Sequence, residues 1–431
     1  MQRRENSRSR TIACCDAFCR DLNGPNHGTI NTFAQIMARS PRWALRILVL
    51  VEVAAIALCI YWTVHHPGGV PLHRTQMVYG PMPWYSRASS TSFSNIPRTS
   101  TTDIPRILLW TPYFGSRLLG LSSQDEIEIP ECSRRCHVTY NRDLLSSSDA
   151  VVFHVRDLSL WDVPARRSPA QKWVFWCMEA PPNSGGVDLD SMKSVFNWTM
   201  TYRADSDVPV AYGSLERREN GKEIASSSKR IWEQKNKTAV WVVSNCAPHS
   251  GRAAFIKELQ RYIHIDIYGR CGTHKCPKDS DDACFRKFES EYYFWLALEN
   301  SLCRDYVTEK LFYALQRVIV PVALGAVNYS AVAAPHSVID ASAFEGPKEL
   351  ADYMENVKSD FRLYQRYLEW KDRYDVVSWD DRFCSLCEKL YSAHFRTKSA
   401  VEDLSSWWIR DSGCYEWNDE HWRARRRKDI V

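Results

Sequence analysis

The sequence predicts an α/β protein: two domains with parallel sheets and helices on both faces, behind one membrane-spanning helix and a flexible stem. Three observations predict it. Short apolar runs that end at turn residues alternate with amphipathic helical patterns, as strands joined by helical crossovers do. A polar, charged stretch from Ser214 to Lys237 divides that alternation in two. Upstream, Trp43 to Val64 is one apolar segment long enough to cross a bilayer, which takes about 20 residues.

The elements follow in order along 431 residues, a length with ample room for a core. Residues 1–42 read as a cytosolic tail. Residues 43–64 read as a transmembrane signal anchor. Arg39 and Arg42 precede it and Arg46, in its first turn, is placed to snorkel, whereas Glu52 carries a cost. The positive-inside rule puts the N-terminus in the cytosol and everything downstream on the other side. A long segment precedes the apolar run and no small-residue cleavage site follows it, which favours a retained anchor over a cleaved signal. The three N-x-S/T sequons, at Asn197, Asn236 and Asn328, and eleven of the fifteen cysteines lie downstream. An oxidising lumen pairs such cysteines and leaves at least one odd thiol. Residues 65–104, rich in Pro, Ser, Thr and Arg, read as a stem.

The first domain spans 105–215, with strands in "RILLW", "DAVVFHV", "KWVFWC" and "NWTMTYRADSDVPV". Residues 216–236 read as a linker, and 237–380 as the second domain, with "KTAVWVV", "HIDIYG" and "VIVPVALG" as strands. Residues 381–431 form a tail with a Cys384-Ser-Leu-Cys387 motif. A zinc site needs two more ligands at compatible spacing, so Cys384 and Cys387 read as a disulfide; Cys132 and Cys136 are further candidates for pairing, with the connectivity open. Net charge is only +5, which implies no nucleic-acid partner, and the Trp 17 and Tyr 20 suit sugar stacking as well as a large core.

In open α/β sheets, ligands bind beyond the carboxyl ends of the strands. "VWVVSNCAPHSGR" offers there a loop with Ser244 and Asn245, then a helix opening at Gly251-Arg252, a phosphate site on physical grounds. "ENSLCRDYVTEKLFYAL" opens a second helix at Glu309-Lys310. A lysine in a first turn opposes the helix dipole. A diphosphate facing both helix starts makes that placement favourable, and Glu309 is then placed to accept hydrogen bonds from a ribose. In the first domain, Glu179 follows an apolar strand and precedes Pro181-Pro182. Burial against Trp173, Phe175 or Trp176 raises such a carboxyl's pKa toward that of a general base. Asp205-Ser-Asp207 resembles a short metal-binding motif of sugar transferases, but its strand–loop–strand setting favours a structural or acceptor-side role.

With these residues in view, the chain resembles the α-1,3-fucosyltransferases of the Golgi. "ALENSLCRDYVTEKLFYAL" followed by "VPVALG" is similar to that family's signature. "KWVFWCMEAPPNS", "FNWTMTYRADSDVPVAYG", "WVVSNCAPHSGR" and "IDIYGRCG" occur in the family's order, so the resemblance covers about residues 105–390. It implies a GT-B architecture of two Rossmann-like domains facing a cleft, in a type II membrane protein. It implies an inverting glycosyltransferase that moves L-fucose from GDP-fucose to a GlcNAc residue of a glycoprotein glycan. Glu179 matches the catalytic base, Arg252 and Lys310 the diphosphate-binding cations and Glu309 the ribose-binding acid. Ser244, Asn300, Tyr306, Tyr268 and Asn245 match residues lining the nucleotide and fucose site. Two fixed cations substitute for a metal, so no essential metal is expected, with Mn2+ at most stimulating. The expected partners are GDP-fucose, an N-glycan acceptor and the membrane, with a homodimer allowed. "ILLWTPYFG" departs from vertebrate forms that use Lewis-type acceptors, so an N-acetyllactosamine antenna and the innermost GlcNAc of an N-glycan, the acceptor of invertebrate and plant relatives, both stay open. A catalytically silent sugar-binding scaffold and a protein O-fucosyltransferase are the alternatives.

Overall fold

The computed structural model describes residues 104–130, 132–276, 281–378, 382–392, 400–418 and 421–424. The cytosolic tail, the signal anchor and all but the last residue of the stem lie outside the described residues. Among the described residues, no helix is long and apolar enough to cross a membrane.

The first lobe is built on a seven-stranded sheet: β1 (Arg106–Leu109), β2 (Glu126–Glu128), β3 (His137–Thr139), β4 (Ala150–His154), β5 (Lys172–Cys177), β6 (Trp198–Thr201) and β7 (Val208–Pro209). Its order is β2-β3-β1-β4-β5-β6-β7, parallel except for the β2–β3 pair. Every residue of β4 and β5 is buried, which is why these strands read as continuous apolar runs instead of alternating ones. β2 and β3 were not among the predicted strands; at three residues each, with Glu126 and Glu128 in β2, they carry no apolar run.

The second lobe follows β8 (Gly213–Arg217) and α1 (Ile224–Gln234). It comprises β9 (Lys237–Val242), α2 (Arg252–Leu259), β10 (Ile265–Tyr268), α3 (Asp281–Glu291), β11 (Tyr292–Leu298), α4 (Glu309–Leu315), β12 (Val320–Leu324), β13 (Ile339–Asp340) and α5 (Pro347–Ser359). The sheet is wholly parallel, in the order β10-β9-β11-β12-β13. Strand alternation puts helices on both faces, as predicted. Ala239 and Trp241 pack with Phe255 and Ile256 of α2 and Leu350 and Met354 of α5. Val240, between them, packs with Phe288 of α3 and Ala314 of α4. The central strand β11 was not predicted, because it follows α3 with no turn residue between them.

Four expectations are corrected. The segment 216–236 is no open linker: β8 pairs antiparallel with β14 (Tyr374–Ser378), Arg218 Nε donates to Asp375 Oδ2 at 2.7 Å, and α1 occupies most of the remainder. The crossovers between β1 and β7 carry 3-10 turns among the described residues, not α-helices. The chain beyond residue 381 supplies the missing layers, and is therefore no separate tail. Phe383, in α6 (Arg382–Tyr391), lies edge-on to Trp176 at 5.5 Å, and Trp408 lies edge-on to Phe175 at 5.5 Å. Phe175 and Trp176 are successive strand residues, so these two contacts cover opposite faces of the sheet. Cys384 and Cys387 do not pair with each other. One helical turn apart on α6, both face the loop before β3 and form Cys132–Cys384 and Cys136–Cys387. Cys246–Cys271, Cys276–Cys284 and Cys303–Cys414 are also bonded, and among the described residues Cys177 is the odd thiol, and it is buried. The chain ends in the described residues with a hairpin of β15 (Tyr415–Asn418) and β16 (His421–Ala424).

Trp408 is fully buried and its Nε1 donates to Ser184 Oγ at 3.2 Å. Trp408→Ala is expected to cost about 3–5 kcal/mol, read as a lowered denaturation midpoint, because it opens a cavity in the first lobe. Of the sequons, Asn236 and Asn328 are exposed. Asn197 is 9% exposed and its Oδ1 accepts the Trp173 N–H at 2.8 Å, which makes it the least accessible of the three.

Candidate active site

The first lobe contributes Glu179. β5 ends at Cys177, and Pro181 opens a 3-10 turn at Pro181–Asn183, so the carboxylate stands on a fixed corner at the carboxyl end of the sheet. Glu179 is half-buried, and Tyr306 of the second lobe directs its hydroxyl toward Oε2 at 3.5 Å. Burial pushes the Glu179 pKa up; Lys310 and Arg156 oppose the shift and Glu309 adds to it. A second contact joins the lobes nearby, where Asn183 Nδ2 donates to Ser301 Oγ at 3.0 Å.

The second lobe contributes two cations. The chain leaves β9 for β10 on one flank and returns to β11 on the other, so the ends of β9 and β11 form the topological switch point. Arg252 opens α2 at that point and is only 2% exposed. Its guanidinium donates to the carbonyl of Leu298, the last residue of β11, and to that of Asn245, after β9, at 3.4 Å. It also lies over the Trp241 ring, 5.6 Å from the centroid. Its Nε has no hydrogen-bond partner among the described residues. Burial lowers the Arg252 pKa, while Glu299, Tyr306 and Glu309 support its charge.

Lys310 occupies the first turn of α4 and is not a solvated helix start. Its Nζ donates to Glu299 Oε2 at 3.1 Å, Thr308 Oγ1 at 2.7 Å and Glu309 Oε1 at 3.2 Å. Burial works against the Lys310 charge, but the Glu299 and Glu309 carboxylates outweigh it and hold the pKa above the usual lysine range. Glu299 is 1% exposed and also accepts the Thr308 N–H at 2.8 Å, so it caps α4 and neutralises Lys310 together. Burial pushes the Glu299 pKa up, and Lys310 restrains that rise. Glu299 was not predicted as a site residue. Its signal was the one used for Glu179: a carboxylate closing an apolar strand.

Two family models match the chain. "Fucosyltransferase, N-terminal" covers residues 102–213, and "Glycosyltransferase family 10 (fucosyltransferase) C-term" covers 232–407. α-(1,3)-Fucosyltransferase C of Drosophila melanogaster is 38% identical, over 70% of this chain and 77% of its own. The chain belongs to glycosyltransferase family 10. Two more similar relatives of this fucosyltransferase are glycoprotein 3-α-L-fucosyltransferase A of Drosophila melanogaster, 33% identical over 69% of this chain and 58% of its own, and human α-(1,3)-fucosyltransferase 7, 34% identical over 65% and 81%. A crystal structure of an α1,3-fucosyltransferase with GDP-fucose aligns at a TM-score of 0.44 and 14% identity, over 70% of this chain and 95% of that one.

The fucosyltransferase brings Glu179, Asn300, Tyr306, Glu309 and Lys310 together: Glu179 meets the Tyr306 hydroxyl and feels the charges of Lys310 and Glu309, and Asn300 lies near enough to work against the rise of its pKa. Arg252 joins them through its coupling to Lys310. Ser244 is exposed at the end of β9. Asn245 turns its side-chain oxygen to the Ala247 N–H at 3.2 Å, shaping its own loop. Tyr268 belongs to another cluster, with its hydroxyl 3.4 Å from that of Tyr292 and its ring against His274 and Phe288. Asp205 and Asp207 hold structure. Asp205 takes Arg203 at 2.8 and 2.7 Å, and Asp207 accepts the Thr199 N–H at 2.9 Å.

Proposed function

We propose that the enzyme transfers L-fucose from GDP-fucose, with inversion, to O3 of a GlcNAc residue in a glycoprotein N-glycan. The observation that carries this reading is the facing of Glu179, from one lobe, by Lys310 and Tyr306 of the other. The acceptor hydroxyl loses its proton to Glu179 as its oxygen bonds to the anomeric carbon of fucose. The bond from that carbon to the diphosphate breaks on the opposite face, and its electron pair leaves with GDP, so the configuration inverts. The transition state has oxocarbenium character. Negative charge grows on the diphosphate, where Arg252 and Lys310 stabilise it; Glu309, Ser244, Asn245 and Asn300 border the nucleotide. The two cations take the place of a metal, and the two lobes form a GT-B cleft.

The same reading places the enzyme in the Golgi membrane with a luminal catalytic part. It is supported by the apolar segment Trp43 to Val64, the arginines before it, and the sequons and disulfides after it. The decisive experiment incubates the secreted luminal part with GDP-fucose and, separately, an N-glycan with an exposed core, an N-acetyllactosamine antenna and a folded peptide domain, each with and without EDTA. Fucose on O3 of GlcNAc in a glycan, at an unchanged rate in EDTA, is the expected result. Fucose on the peptide hydroxyl alone, or no turnover of GDP-fucose at all, would reject the proposal.

A further inference from the structure

The two loops that carry the donor-site residues are closed by a segment beyond the family match, which ends at residue 407. This segment leaves the first lobe at Trp408, which is packed on Phe175. Ser412 is fully buried. Its Oγ receives Arg203 of the first lobe at 3.3 Å, and its carbonyl accepts the Arg304 N–H of the second lobe at 2.8 Å. Cys414 is bonded to Cys303, and the Tyr415 N–H donates to the Leu302 carbonyl at 2.9 Å. These bonds fix the loop between Asn300 and Tyr306, where Asp305 sits at a φ of 62°. A residue in that left-handed conformation persists where its surroundings over-determine it. Farther on, the Trp417 N–H donates to the Ser250 carbonyl at 2.9 Å, and the Trp417 ring lies edge-on to Phe255 of α2 at 5.3 Å. The Trp417 carbonyl covers Gly251, the residue before Arg252. Gly251 has a φ of +70°, and a Cβ there would stand 2.0 Å from that oxygen. Only glycine fits this position.

We propose that residues 408–418 form a strap that presets the donor pocket. Cys414 and Trp417 are its positioning residues, acting through Cys303 on Asn300 and Tyr306 and through Gly251 on Arg252. The inference rests on the reading that GDP-fucose binds at these residues. A pocket ordered before its ligand arrives binds more tightly, because less ordering cost is left for the binding step. Cys414 and Trp417 lie against Cys303 and Phe255, so their effect falls first on the donor side of the site and reaches Glu179 only through Tyr306.

The test uses Cys303→Ala, Cys414→Ala and the double variant, with Gly251→Ala as a second route that leaves every disulfide in place. In the full-length protein, the KM for GDP-fucose is expected to rise about tenfold while the acceptor KM stays within about twofold, a split that general loosening does not produce. The three cysteine variants should coincide, because each removes the same single bond. Titration with GDP alone should show the same loss of affinity. Folded variants with the parent's GDP affinity, or a matching rise in both KM values, would overturn the strap. A parent that turns over no GDP-fucose would instead overturn the donor assignment.

Discussion

Glu179→Gln is expected to lower kcat by about 10²–10⁴, the usual worth of a positioned general base, with the KM for GDP-fucose unchanged within about twofold. Glutamine keeps the shape of the side chain and still accepts from Tyr306, whose hydroxyl stands 3.5 Å from Oε2, but takes no proton. The rise of the Glu179 pKa through burial adds a signature in pH. The base works only when ionised, so kcat/KM of the parent should fall as pH drops through a value above the ordinary carboxylate range. The glutamine variant should lose that acid limb. The same measurement tests the scaffold alternative, because a silent sugar-binding protein shows neither turnover nor an acid limb to lose. A variant that keeps the parent's rate and pH profile would remove Glu179 from the chemistry.

What was legible in the sequence is what local pattern encodes. β4, β5, β9 and β12 were legible as apolar runs because they are buried on both faces. Glu179, Arg252 and Lys310 stood out because each breaks such a pattern at a strand end or helix start. Illegible were the features decided by distant partners. Whether Cys384 meets Cys387 or Cys132 depends on a chain reversal across a sequence separation of 252 residues. The first lobe takes Phe383 and Trp408 as its covering layers, although its own crossovers were expected to supply helices. Tyr268 ends a strand at the same edge as Arg252, but its side chain packs beneath α3, a choice of face that β10, with four residues, does not display by alternation. Glu299 carried the signal of a carboxylate closing an apolar strand, but its pairing with Lys310 was not displayed, since only the return of the chain through Thr308 brings the two together.

That pair carries the second large effect. Lys310→Ala is expected to abolish measurable transfer and also to destabilise the protein, by about 3 kcal/mol at neutral pH, because it leaves the buried Glu299 carboxylate without its cation. The two losses have different causes and separate in a second variant. Lys310→Ala with Glu299→Gln removes both charges, so the denaturation midpoint should recover most of the way, with Thr308 still bonded to the new side chain. Transfer should stay at least 10²-fold down, because the charge facing the leaving diphosphate is still gone. The pH dependence has a definite sign. The folded-state pKa of Glu299 already lies above its unfolded value through burial, and loss of Lys310 raises it further. A raised carboxyl contributes stability when protonated and loses it as pH rises through the folded pKa. The stability gap between parent and Lys310→Ala should therefore be small at acidic pH, widen as pH rises through the raised value and then stay constant. Recovery of transfer in the double variant would reduce Lys310 to a counter-ion for Glu299 and leave the diphosphate to Arg252 alone.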